Sequence, residues 1–138
     1  MVLGVDLGSR RIGLAASDPS GTLASPLSVL ERRGDPDEDR RAILDAARAI
    51  GARRIVVGLP IGLSGRIGPA ARAALDEIAA IRALAGDDLP VDTYDERFTS
   101  VIAERGLMES RGRRRARRGT VDAAAAAVML QSWLEARR

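Results

Sequence analysis

The 138-residue chain contains no histidine, no cysteine and no lysine, and its only aromatic side chains are Tyr94, Phe98 and Trp133. Without cysteine there is no disulfide framework, no thiolate zinc site and no thiol nucleophile. Without histidine there is no Ser-His or Cys-His pair and no imidazole metal ligand. Without lysine there is neither a Schiff base nor the phosphate-binding lysine of Walker-type nucleotide hydrolases. So few aromatics make no stacking platform for single-stranded bases, and Trp133 is expected in the core. Carboxylates, hydroxyls and arginine are what remain for chemistry. Carboxylates bind hard cations such as Mg2+ and Mn2+, which activate water without a basic side chain, so the composition points toward metal-assisted hydrolysis.

All 22 cationic side chains are arginine, set against 19 acids for a net charge of +3. The isoelectric point of 10.7 follows because little titrates between the carboxylates and the lone Tyr94. Six arginines fall between Arg111 and Arg118, while the other 16 are outnumbered by the 19 acids and leave −3 elsewhere. The basic character is thus one local segment on a mildly acidic body. An apolar content of 46% supports one core, and the length predicts a single domain over residues 1–138. The first seven residues lack a positive region and include Asp6, so no targeting segment is expected. The longest apolar run, Ala123 to Leu130, is too short to span a bilayer. A cytoplasmic protein without membrane association is the expectation.

Punctuation by glycine and proline divides the chain into elements. Met1 to Leu7, Arg11 to Ser17 and Thr22 to Glu31 read as three strands in an antiparallel meander, with a turn at Asp18-Pro19-Ser20-Gly21. Asp35 caps a helix with Pro36 at its first position, and the acids Asp35, Asp37, Glu38 and Asp39 read as capping and solvation. Ile43, Ala46, Ala47 and Ile50 recur at helical spacing before Gly51 stops the helix. Arg54 to Gly58 reads as a buried strand and Pro69 to Ala85 as a second helix with Ala74, Ile78, Ile81 and Leu84 or Ala85 inward. Val91 to Asp95 is a fifth strand. Thr99 or Ser100 caps a third helix to about Glu109, and after the arginine-rich loop Thr120 caps a last one. Alternation of strands and helices in the second half implies right-handed parallel crossovers, hence an α/β fold with a mixed five-stranded sheet.

Several residues carry candidate chemistry. Asp6 sits in an apolar strand where an unpaired carboxylate is costly to bury. It caps the following turn or, the favoured reading, binds metal, with Gly8 admitting a ligand and Arg10 or Arg11 meeting phosphate. Asp95 and Glu96 follow the last strand, at the carboxyl edge where open α/β sheets build sites. Adjacent residues point to opposite faces, so one acid faces the site and the other faces solvent or Arg97. Asp122 shares a helical stripe with Ala126, Met129 and Trp133. Either the dipole of a first turn stabilises it, or the small residues Ala123 to Ala127 let the helix approach the sheet and bring this acid toward Asp6. The glycine-rich stretch Val57 to Arg66 matches neither nucleotide-binding pattern and reads either as a loop contacting a nucleic-acid backbone through Arg66 or as a structural turn. Arg113, Arg114, Arg115, Arg117 and Arg118 repel one another unless solvated or matched by phosphates, and their place just before Asp122 suits backbone steering into an acidic site.

As a set, Gly4-x-Asp6-x-Gly8-x-x-Arg11-Ile12-Gly13, Val57-Gly58-Leu59-Pro60, Asp95-Glu96-Arg97-Phe98-Thr99-Ser100 and Val121-Asp122-x-Ala124-Ala125 run in order through nearly the whole chain. This pattern resembles the YqgF/RuvX family, small ribonuclease H-like proteins described as Holliday junction resolvases and as nucleases that process the 5′ end of the small-subunit ribosomal RNA precursor. The resemblance implies a ribonuclease H-like fold, three antiparallel strands followed by αβαβα. It also implies Asp6, Glu96 and Asp122 as the catalytic, metal-binding acids, Asp95 as a candidate helper, and Mg2+ or Mn2+ for in-line attack of water on a phosphodiester. Nucleic acid, RNA or DNA, is the implied partner of a monomer or homodimer, with Arg10, Arg11, Arg66, Arg97 and the arginine-rich loop as backbone contacts. Ile61-Gly62-Leu63-Ser64-Gly65 stands where the family often has polar Asn and Asp, and Phe98 and Ser100 stand where Leu and Thr are usual. Processing of pre-16S ribosomal RNA is the leading expectation. The rivals are a dimeric junction resolvase, a non-catalytic ribosome-assembly factor and, last, an actin-like ATPase suggested by Asp6-Leu7-Gly8-Ser9, which needs two lobes where this chain supplies one.

Overall fold

The computed structural model describes residues 1–61, 65–99 and 118–137, with side chains of the last helix described from Asp122. The elements are β1 Val2–Leu7, β2 Arg11–Ser17, β3 Ala24–Glu31, α1 Pro36–Ala49, β4 Arg54–Leu59, α2 Pro69–Ala85, β5 Val91–Asp95, a 3-10 turn Glu96–Phe98, and α3 Arg118–Ala136. They form one mixed sheet of order β3-β2-β1-β4-β5, in which β1 is antiparallel to β2 and parallel to β4, and β4 is parallel to β5. The expected α/β fold and its mixed sheet are therefore present. No helix among the described residues is long and apolar enough to cross a membrane.

Alternation along the strands separates two faces. Leu3, Val5, Ile12, Leu14, Ile55, Val57, Leu59 and Val91 pack with Ile43, Leu44, Ala47, Ala74, Ile78, Ile81 and Ala85 of α1 and α2. The opposite face offers Ala15 and Val56 to Ala126, Met129, Leu130, Trp133 and Leu134 of α3. On that face Gly4 has no room for a side chain, since a Cβ would stand 2.9 Å from Leu130 Cβ. Gly13 is tighter still, because a Cβ there would run into the backbone carbonyl of Asp122. A strand glycine of this kind marks close approach of another backbone.

Local chemistry set most boundaries. Asp35 caps α1 by accepting from Asp37 N at 3.0 Å, with Pro36 in the first turn, and Gly51 leaves the helix at φ +68°. Gly21 N donates to Asp18 O at 3.0 Å to close the expected turn. The outermost strand β3 carries an irregularity, since Leu14 pairs with Ser28 while Ala15 pairs with Pro26, leaving Leu27 as the extra residue.

Two expectations change, one element is new and one alternative is resolved. The last helix starts at Arg118, so Thr120 falls inside its first turn rather than capping it, and Asp122 lies beyond that turn. The 3-10 turn after β5 was not anticipated; Asp95 caps it by accepting from Arg97 N at 2.9 Å. Of the alternatives on α2, Ala85 is buried and Leu84 is exposed. Asp39, read as a solvated capping acid, is buried and accepts from Arg33 N at 3.3 Å. The helix expected from Thr99 or Ser100 to Glu109, and the arginine-rich loop up to Arg117, lie outside the described residues.

Asp39 is part of a clamp centred on Arg32 at the end of β3. Arg32 Nε donates to Gly8 O at 2.7 Å, its two terminal nitrogens donate to the Glu77 carboxylate at 2.8 and 3.1 Å, and Asp39 Oδ2 lies 3.7 Å away. One planar guanidinium thus joins the turn after β1 to α1 and α2, a role that suits arginine and not lysine. Removing one member of a largely buried pair strands the other charge. Arg32→Ala is expected to lower unfolding stability by about 3 kcal/mol, and Arg32→Lys to recover only part of it. Chemical denaturation with an unchanged slope checks this.

Candidate functional site

The sheet geometry decides which acids meet. Asp6 and Gly13 are cross-strand partners on β1 and β2, and the Asp122 carbonyl rests on Gly13. Asp122 is therefore delivered beside Asp6 by the bare glycine opposite it. Glu96 reaches the same edge from the 3-10 turn after β5, lying over Gly58 of β4, where a Cβ would stand 2.7 Å from Glu96 Oε1. Asp6, Glu96 and Asp122 are all partly buried.

The charges of these acids act on one another in pairs. Burial raises the pKa of Asp6 above its ordinary value, and the Asp122 carboxylate raises it further. Burial likewise raises Glu96, followed by the charges of Asp6 and then Asp95. Asp6 thus stands between two like charges, the arrangement that disfavours ionisation. Among the described residues no three His, Cys, Asp or Glu side chains are gathered into a group that holds a metal ion as they stand. The acids are close enough to repel one another without being drawn into a chelating cluster.

Asp95 has a different fate. Its carboxylate accepts from Arg97 Nε at 2.8 Å and from Arg97 Nη2 at 2.5 Å, and this bonding holds its pKa below the usual carboxylate range. The expected division of the pair therefore appears, with Glu96 turned to the other acids and Asp95 tied to Arg97. The Arg97 guanidinium also lies 5.6 Å from the Phe98 ring centroid.

The remaining candidates are placed unevenly. Arg11 pairs with Glu31 at 3.1 Å on the sheet edge, and Arg10 and Arg66 are exposed. Arg113, Arg114, Arg115 and Arg117 lie outside the described residues, and of Arg118 only the helical backbone is described. At Gly8 the direction of a Cβ is taken by the Arg11 carbonyl, 2.5 Å from where that atom would sit, and the Gly8 N–H donates to that carbonyl at 2.9 Å; Gly8 also lines an open cleft with Ser9, Arg32 and Glu77. The dipole explanation of Asp122 loses its footing, since the effect fades beyond the first turn and that turn of α3 holds no acid. Gly13 and Gly58 were missed as site residues. Their signal was a glycine inside an apolar strand.

A mixed sheet of order β3-β2-β1-β4-β5, with two helices on one face and the closing helix on the other, is a fold shared with solved Holliday junction resolvases. RuvC of T. thermophilus in complex with a Holliday junction substrate superposes with a TM-score of 0.63 over 99% of this chain and 94% of that one, at 19% identity. The Fowlpox virus resolvase in complex with junction DNA gives 0.58 over 99% and 97%, at 11% identity. At such identities the likeness is one of fold. Among relatives, a protein of Mycobacterium sp. (strain KMS) named "Putative pre-16S rRNA nuclease" is 42% identical over 99% of this chain and 80% of its own length. Proteins of the same name from Kineococcus radiotolerans and Desulforudis audaxviator are 46% and 41% identical over 99% of this chain, and over 72% and 95% of their own lengths. The RuvX family, described as Holliday junction resolvase, matches residues 1–136, and the chain belongs to it. It is a nuclease family, as the sequence motifs implied.

A raised carboxylate pKa means that the folded state binds the proton more tightly than the unfolded chain. Stability is unaffected below the unfolded pKa, falls as pH rises through the raised folded value, and stays diminished above it. Asp6→Asn removes this burden, so without divalent ions the variant is expected to melt a few degrees above the parent at neutral pH and to match it near pH 3. Thermal unfolding across pH measures the crossover, and a variant less stable at neutral pH contradicts it.

Proposed function

We propose that residues 1–138 form one metal-dependent nuclease domain that acts on the 5′ end of pre-16S ribosomal RNA in the cytoplasm. The carrying observation is that three acids converge at the carboxyl edge of the sheet: Asp122 seated on Gly13 opposite Asp6, and Glu96 lying over Gly58 of the neighbouring strand. Like charges held together in a partly buried site are relieved by a proton or by a cation. The chain has only oxygen donors there, with no histidine or cysteine anywhere in the sequence, and that donor set fits hard Mg2+ or Mn2+. Asp6, Glu96 and Asp122 would hold the ion, which supplies activated water and neutralises charge developing on the phosphate.

The chain's own residues take distinct parts. Asp6 is the shared centre, flanked by the other two acids. Asp95, engaged by Arg97, is a positioning residue that fixes the turn carrying Glu96. Arg11 is on the α3 face of the sheet with Gly13, and its exposed partner Glu31 is readily exchanged for a phosphate. Arg10, Arg66, Arg97 and the segment Arg113, Arg114, Arg115, Arg117 and Arg118 supply the remaining backbone contacts. The names of the relatives at 41–46% identity favour ribosomal RNA. The family description supports a second reading, a resolvase cutting four-way DNA junctions symmetrically, which needs a dimer.

The deciding assay offers a pre-16S 5′-leader RNA, single-stranded DNA and a four-way junction with Mn2+, and maps product ends. Asp6→Asn and Asp122→Asn are each expected to lose about 100-fold or more in cleavage while still binding the substrate. Undiminished cleavage by both variants overturns the assignment. Paired symmetric nicks by a sedimenting dimer favour the junction. Salt-sensitive binding through the Arg113 to Arg118 segment with no cleavage at all makes the chain an assembly factor.

A further inference from the structure

The glycine-rich stretch after β4 remains to be explained, and its first glycine is a strand residue rather than part of a phosphate-binding turn. Gly58 pairs with Tyr94 of β5. Its backbone has no positive φ, so an alanine there meets no conformational strain. What it meets is Glu96. An added Cβ would stand 2.7 Å from Glu96 Oε1, 3.4 Å from Glu96 Cδ and 3.3 Å from Met129 Cγ. The first distance is far inside van der Waals contact. The Glu96 carboxylate therefore lies directly on the bare α-carbon, with Met129 of α3 beside it.

The geometry points to Gly58 as a positioning residue for the nuclease site, a strand glycine kept bare so that the Glu96 carboxylate lies on the sheet and faces Asp6. The inference rests on Glu96 belonging to that site. Its distinguishing mark is the kind of atom a methyl would touch. At Gly13 and Gly8 the obstacle is backbone, of Asp122 and Arg11 respectively, so those glycines are needed by the fold. At Gly58 the severe obstacle is the end of the flexible Glu96 side chain, which moves at little cost, while Met129 Cγ at 3.3 Å has to give by only a few tenths of an ångström. The fold can absorb a methyl there by displacing Glu96, and the site cannot.

The test compares wild type, Gly58→Ala, Glu96→Asp and the double variant in single-turnover cleavage of the same substrate panel with Mn2+, together with thermal unfolding and calorimetric Mn2+ titration. Gly58→Ala is expected to melt within a few degrees of wild type and bind Mn2+ about tenfold more weakly. It should cleave about 100-fold more slowly at saturating substrate, the usual penalty for a misplacement near 1 Å, with KM little changed. Shortening the acid makes room for the methyl. Glu96→Asp should therefore cost far less in the Gly58→Ala background than in the native one, a coupling of about tenfold or more. Wild-type cleavage by Gly58→Ala, losses that simply multiply, or a Gly58→Ala protein that unfolds early would each overturn the inference. Glu96→Gln is assayed alongside. If it cleaves normally, the reading of Glu96 as a site acid fails; if it is inactive while Gly58→Ala is normal, only the positioning role fails.

Discussion

The contact between the Asp122 carbonyl and the bare face of Gly13 is the constraint from which the site follows. Because Gly13 is the cross-strand partner of Asp6, a helix seated on it must carry its acid to within electrostatic reach of β1. Gly4, two residues before Asp6 on the same strand, meets Leu130 and holds the same helix one layer further down. A side chain at either position would lift α3 from the sheet. The unusually small residues Ala123 to Ala127 belong to the same requirement, since only a thin helix surface can lie this close to a strand.

The two faces of the sheet accordingly do different work. Beneath it, branched residues of four strands interlock with α1 and α2 in a core whose largest members are fully buried. This is where hydrophobic burial supplies most of the folding free energy. Above it, a smaller cluster around Met129, Leu130 and Trp133 must also tolerate a group of repelling carboxylates. The site is a local liability tolerated by a stable underside, in line with the general trade-off between stability and activity. Arg32 links the two, because it grips the turn that follows Asp6 while its charge is neutralised by acids of α1 and α2.

Much of this was legible in the sequence. The extents of β2, α2 and β5 agree with expectation, because glycine or proline stands close to both ends of β2 and α2 and just before β5, and periodicity fills the interior. Asp6 and Glu96 were visible as acids at strand ends, and a split between Glu96 and Asp95 was expected from strand alternation, although it arises instead from the 3-10 turn that Asp95 caps. Other features depend on partners remote in the chain. Nothing local distinguishes Asp39, buried against the β3 end, from its solvated neighbours Asp37 and Glu38. The start of α3 at Arg118, ahead of Thr120, was not marked by a capping residue in the sequence. The carbonyl that sits on Gly8 comes from three residues further along, which only the hairpin geometry reveals. Gly13 and Gly58 carried a readable mark, a glycine within an apolar strand, but what approaches each comes from another element.

The edge strand β3 has a bearing on self-association. Open sheet edges invite further strands, and proteins blunt them with prolines and bulges. Here Pro26 has no N–H to offer, and the extra residue Leu27 breaks the spacing of the ladder beside it. A second copy cannot continue the sheet across this border as a regular ribbon. Of the two outer strands only β5 lacks these devices, so the sheet is blunted on one side alone.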